Sequence, residues 1–177
     1  MRWVALLRGI NVGGHKPIKM DELKRAFASL GFQGCKTLLA SGNVLFETPE
    51  TGRTALVRTI EEALKRIFGH EVAVVLRTVG EIQELADAQP FAKVAVTPQT
   101  RLYVTFLAEG TTKHSLRAGT STGADFTIVR VTPREVCIAL TLTQTSGTPE
   151  LMSYLDKTLG RTVTTRNWNT VAKILKG

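Results

Sequence analysis

Three short stretches carry residues that can do chemistry. The first runs Arg8-Gly9-Ile10-Asn11-Val12-Gly13-Gly14-His15-Lys16. Glycines let backbone amides approach a ligand closely, and Arg8, Asn11 and Lys16 add donors, so the loop suits an anion such as phosphate. Gly9 and Gly14 stand at the separation of a P-loop. His15, Lys16 and Pro17 follow where a lysine and then a hydroxyl residue should stand, so the magnesium-binding hydroxyl is missing. There is no GxGxxG either, and neither nucleotide motif is present. The rival reading is a tight turn that needs positive φ at Gly13 and Gly14.

The second stretch is Ser41-Gly42-Asn43. A hairpin turn is its first reading; a bulge within one strand, re-aiming Ser41 and Asn43, is the alternative. The third is Thr164-Thr165-Arg166-Asn167-Trp168-Asn169. Thr165 or Asn167 can cap a following helix, whose first amides, with Arg166 beside them, make a candidate anion seat. Trp168 shares a stripe with Val171 and Leu175, which favours core packing over base stacking. Capping chemistry alone is the alternative for the threonines and asparagines.

No acid–base pair and no nucleophile–base arrangement stands out from residue order. His15, His70 and His114 are scattered, and Cys35 and Cys137 lie far apart in apolar runs, outside any metal or redox spacing. No metal and no cofactor is expected, and both thiols are expected to be reduced and buried.

These stretches need a scaffold. Arg2 to Leu7 reads as a buried strand feeding the loop from Gly9 to Lys19. Met20, Leu23, Ala26, Phe27 and Leu30 follow at helical spacing and stop at Gly31. Thr37 to Ala40 and Val44 to Thr48 are strand-like, and Leu56, Ile60, Leu64 and Ile67 mark a helix ended by Gly69. Glu71 to Arg77 is a strand, and Thr78-Val79-Gly80-Glu81 has the capping-box pattern. Ala88 to Thr100 reads as a connection.

The order then recurs, with strands at Leu102–Leu107, Phe126–Val131 and Val136–Leu142. Glu109 to Ala124 is polar and holds three glycines, so any helix there is weak. Thr148-Pro149-Glu150 opens a helix ended by Gly160. Trp168, Val171, Ala172 and Leu175 give a last one. The expected fold is α+β: two ferredoxin-like, split βαβ halves related by duplication, each sheet with helices on one face. Their extents are 1–95 and, with an extra C-terminal helix, 96–177. The halves share no obvious residue identity, so duplication rests on element order.

With 43% hydrophobic residues in 177, a sizeable core is possible, and a net charge of +8 favours an anionic partner or simply solubility. The apolar run before Arg8 is too short for a signal-peptide core and nothing approaches a membrane span, so a cytoplasmic setting without membrane contact is expected.

Taken together, the motifs resemble a group of uncharacterised, mostly bacterial proteins catalogued as a domain of unknown function. The resemblance is carried by ALLRGINVGG at Ala5 to Gly14, Ile18-Lys19-Met20, Ser41-Gly42-Asn43 with its apolar run, and TTRNWNTV at Thr164 to Val171. Ala40 departs from the glutamine that often precedes SGN, and Gln89 from the asparagine that often precedes Pro-Phe. The resemblance implies a duplicated, ferredoxin-like α/β fold and no reaction. It points to a shared polar set at Arg8, Asn11, Ser41, Asn43, Arg166, Asn167 and Asn169.

The expected site therefore comprises Arg8, Asn11, Gly13, Gly14, Lys16, Ser41, Asn43, Thr165, Arg166, Asn167 and Asn169. Its expected ligand is an anion, a nucleic acid or nucleotide-like molecule. An enzyme acting on a small phosphorylated or carboxylated metabolite, and a purely structural role for the motifs, are the alternatives.

Overall fold

A computed structural model describes residues 1–14, 16–112, 116–121 and 125–177. The chain divides into two compact units, Met1–Glu84 with Ala172–Gly177, and Leu85–Val171. The expected boundary after residue 95 falls inside the second unit.

The first unit contains β1 (Arg2–Leu7), α1 (Met20–Ala28), β2 (Gln33–Leu38), β3 (Asn43–Glu47), α2 (Arg53–Phe68) and β4 (Val74–Thr78); α3 (Val79–Asp87) follows and runs into the second unit. Its four strands form one antiparallel sheet in the order β2-β3-β1-β4. That is the split βαβ arrangement twice over, with β3 lying between β1 and β2, and β1 between β3 and β4. Trp3, Ala5 and Leu7 of β1 pack with Val44, Phe46 and Leu76 against Leu23 and Phe27 of α1 and Ile60 and Leu64 of α2. Each such side chain contributes about 1.5–3 kcal/mol by leaving water. Gly69 ends α2 in the left-handed region, donating its N–H to Lys65 O at 2.9 Å. The capping box read at Thr78 is present: Thr78 N–H donates to Glu81 Oε2 at 2.9 Å and Glu81 N–H to Thr78 Oγ1 at 3.1 Å.

The second unit holds β5 (Thr100–Leu107), β6 (Phe126–Val131), β7 (Glu135–Thr141), α4 (Thr148–Leu159), β8 (Val163–Asn167) and the start of α5 (Trp168–Lys176). Its sheet has the equivalent order, β6-β7-β5-β8. One face packs Ile138, Leu140, Ile128 and Leu107 against Leu151 and Leu155 of α4. The helix starts at Thr148 with Pro149 behind it, and Glu150 Oε2 accepts the Gly147 N–H at 2.7 Å. In keeping with its polar, glycine-bearing composition, residues 109–112 and 116–121 form no helix, although Leu116 is buried in the core; the rest of that stretch, 113–115 and 122–124, lies outside the described residues. One expectation needs correction here. The TTRN residues, expected only to lead into and cap the last helix, are a strand, β8, which completes the sheet.

The strand registers bring out identities that residue order alone did not make obvious. Trp3-Val4-Ala5-Leu6-Leu7 and Tyr103-Val104-Thr105-Phe106-Leu107 occupy matching positions, because Val4 pairs with Arg77 as Val104 pairs with Arg166. β4 (VVLRT) and β8 (VTTRN) then align with valine first and arginine fourth. Asn43 opposite Leu6 corresponds to Glu135 opposite Phe106. In both halves these polar residues lie on the sheet face turned away from the helix-packed core, and all are buried. In the first unit Gly177 lies against Leu38 and Leu45 on that face. Among the described residues, no helix is long and apolar enough to cross a membrane.

Candidate functional site

The segment after β1 is pinned at both ends. Ile10 and Ile18 are buried in the first core. Between them Asn11 holds φ at +57°, a left-handed conformation that asparagine tolerates better than most residues. Its Oδ1 accepts the Ile18 N–H at 2.7 Å, and its Nδ2 donates to Ile18 O at 3.1 Å and to Ala40 O at 2.9 Å. Gly13 and Gly14 are exposed, at φ +46° and +71°. The positive φ expected of the turn reading is present, and the turn is open to solvent.

Ser41-Gly42-Asn43 is part of a hairpin turn, as first read, spanning residues 39–42 between β2 and β3. Gly42 donates to Leu39 O at 3.2 Å, and its own carbonyl accepts the Leu7 N–H at 2.9 Å. Gly42 sits at φ +79°, and a Cβ there would collide with Ile10, so only glycine lets the hairpin reach the first loop. Asn43 is fully buried, donating from Nδ2 to Leu38 O at 2.7 Å and Ser41 Oγ at 3.2 Å. The first and second stretches thus meet within the first unit, tied through Asn11, Gly42 and Ile10. Arg8 is half-buried beside them, with its N–H on Ala73 O at 2.9 Å.

The third stretch lies in the second unit and points its polar groups inward. Thr165 Oγ1 pairs with Thr105 Oγ1 at 2.9 Å across β5 and β8. Arg166 is buried, and its Nη1 donates to Thr164 Oγ1 at 2.7 Å and Thr165 O at 3.0 Å. Burial pulls its guanidinium down to about 10, high enough that it keeps its charge at neutral pH. Asn167 caps α5, its Oδ1 accepting the Asn169 N–H at 3.0 Å. The half-buried Trp168 meets Phe91 edge-on at 5.1 Å, in keeping with a packing role.

A cavity of about 480 Å³ opens in the first unit next to the first loop. Lys16, Pro17 and Ile18 form one wall. Glu22, Arg25, Ala26 and Ser29 form another; their spacing puts them on one face of α1. Ile67, Phe68 and His70 close it at the end of α2. Ser29 Oγ donates to Ala26 O at 2.8 Å, and His70 Nδ1 lies 3.2 Å from Phe68 O. A lysine, an arginine, an imidazole and one glutamate thus share the lining with Pro17, Ile18, Ala26, Ile67 and Phe68, a set that can offer donors to anionic oxygens and apolar surface to the rest of a ligand. Lys16 belongs to the expected site. Arg25 and His70 were missed: Arg25 sits on the polar face of α1 and His70 follows α2, where a solvated charge is the ordinary reading. Buried Arg77 and Glu135 were missed as well, and a topological match to Arg166 and Asn43 is what reveals them.

Among the described residues, no cluster of three or more His, Cys, Asp or Glu could hold a metal ion. Both cysteines are free thiols. Burial, then the charge of Glu135, pushes Cys137 up to about 12, and burial raises half-buried Cys35 against the opposing pull of Lys24.

No curated protein matches the chain. Among solved structures, a conserved bacterial protein, SP0830 from Streptococcus pneumoniae, superimposes with a TM-score of 0.70 at 22% identity, covering 99% of this chain and 97% of that one. At that identity the likeness concerns the fold. A family described as "protein of unknown function" (DUF1697) matches residues 1–136, and the chain belongs to that family.

Proposed function

We propose that this member of the DUF1697 family binds a small anionic ligand of nucleotide size in the pocket formed by the first loop, α1 and the end of α2. The observation that carries this reading is the pocket's shape and lining together. Its volume of about 480 Å³ falls in the range of small-molecule sites, whereas a single-stranded polymer calls for an open groove. Lys16 and Arg25 pair with the anion, with His70 alongside, and the expected donors Gly13 and Gly14 lie outside the cavity's lining. Glu22 accepts from a hydroxyl or amino group, and Ile67 and Phe68 face the apolar part. Each charge-assisted contact is worth about 1.5–3 kcal/mol.

Under this reading Ser41, Asn43, Thr165, Arg166, Asn167 and Asn169 serve the fold, and Arg8 lies at the loop's entrance. The unbridged cysteines support a reducing, cytoplasmic setting. The reading assigns binding and no reaction.

A panel tests it: inorganic phosphate, AMP and a single-stranded oligonucleotide, each titrated at low and high salt. The expected order is AMP tighter than phosphate, both saturable, with the oligonucleotide weak and salt-sensitive. Tight oligonucleotide binding with a steep salt slope would move the reading to nucleic acid. No saturable response to any of them would overturn it.

A further inference from the structure

We infer that Asn11 is the positioning residue of this pocket: its side-chain amide closes the loop 11–18 at the neck and so fixes Lys16, Pro17 and Ile18 against α1. Asn11 does not line the cavity, and the inference rests on the anion-binding reading above. Three hydrogen bonds leave from one amide. Two of them grip both backbone groups of Ile18, a lining residue, and the third grips Ala40 in the hairpin turn. The residues between, Val12 to Pro17, are exposed where described, so Lys16 reaches the pocket from a loop whose span is set at its neck. Ordering a lysine from a loosened loop would subtract from binding; ordering it from a closed one does not. The hairpin bond also ties the pocket wall to the turn at Gly42.

Two substitutions separate the amide from the backbone. Asn11→Gly keeps the left-handed conformation easy and removes all three bonds. Asn11→Asp keeps the acceptor for the Ile18 N–H and removes both donors. Each is titrated with inorganic phosphate, following Lys16 and Arg25 signals well below the unfolding temperature, and exchange of the Ile18 amide is measured in parallel. In Asn11→Gly, phosphate binding weakens about tenfold and Ile18 exchange accelerates. In Asn11→Asp, binding weakens while Ile18 exchange changes less. Arg25→Ala weakens binding and leaves Ile18 exchange as in the wild type.

Faster Ile18 exchange with unchanged phosphate affinity would overturn the inference and leave the pocket standing, because a purely structural bond does not alter the affinity of folded molecules. A wild type that shows no saturable shift would remove the pocket reading and this inference with it.

Discussion

The first half crosses from β1 to β2 through a pinned, glycine-bearing loop and helix α1; the second crosses from β5 to β6 with no helix among its described residues. Yet both sheets keep the same strand order and put an arginine and a second polar residue at matching buried positions: Arg77 and Asn43, Arg166 and Glu135. The two sheets thus share order, register and these buried polar positions, and they differ, among the described residues, in the connection after the first strand. In the first half that connection supplies Lys16, Glu22, Arg25 and Ser29 to the pocket, and among the described residues of the second connection no helix offers such a wall.

The sharpest way to break this comparison is to remove each arginine. Both donate to the carbonyl of the residue before them, Arg77 Nη1 to Leu76 O at 2.7 Å and Arg166 Nη1 to Thr165 O at 3.0 Å. Arg77→Ala and Arg166→Ala should each destabilise the protein by about 3 kcal/mol in urea unfolding, lowering the midpoint temperature by roughly 10 °C. The methionine variants should cost less than the alanine ones, since the longer side chain fills more of the space that the guanidinium leaves. If Arg166→Ala were neutral while Arg77→Ala were costly, the equivalence would fail, and Arg166 would return as a ligand residue.

The two hairpins offer the next contrast. Gly42→Ala must displace Ile10 and force a positive φ, and should cost about 2–3 kcal/mol. Pro133→Ala, in the exposed turn of the second hairpin, should cost about 0.5 kcal/mol. Equal losses at the two turns would mean that the first hairpin is not held against the loop as described.

How much of this was written in the sequence differs by element. Caps and apolar stripes announced α2, α3 and α4, because Gly69, the Thr78–Glu81 box and Gly160 act through neighbours a few residues away. β8 was hidden, since Val163-Thr164-Thr165-Arg166-Asn167 is mostly polar. Its strand character depends on a partner, β5, some sixty residues back, where Thr105 meets Thr165 at 2.9 Å. The three polar stretches were visible as motifs, but their jobs were not: whether Asn11, Asn43 or Arg166 faces a ligand or a backbone carbonyl is decided by tertiary contact. Arg25 and His70 were invisible for the opposite reason, being ordinary surface charges until α1 and the end of α2 place them around one cavity.

The cysteines give the smallest contrast between halves. Only the thiolate is nucleophilic, and burial holds both thiols protonated at neutral pH. Thiol labelling of the native protein at pH 7.5 should reach Cys35 slowly and spare Cys137 until the second sheet opens. The rate at Cys35 should rise about tenfold from pH 7 to pH 8, as the thiolate fraction does below the pKa. Rapid labelling of Cys137 would show that the face it shares with Arg166 is open.

The decisive measurement is a calorimetric titration of AMP into the wild type and into Arg25→Ala, with Arg166→Met alongside. A saturable wild-type isotherm that weakens at least about tenfold in Arg25→Ala and is unchanged in Arg166→Met places the anion in the first half. Binding that survives Arg25→Ala and is lost in Arg166→Met would contradict that placement.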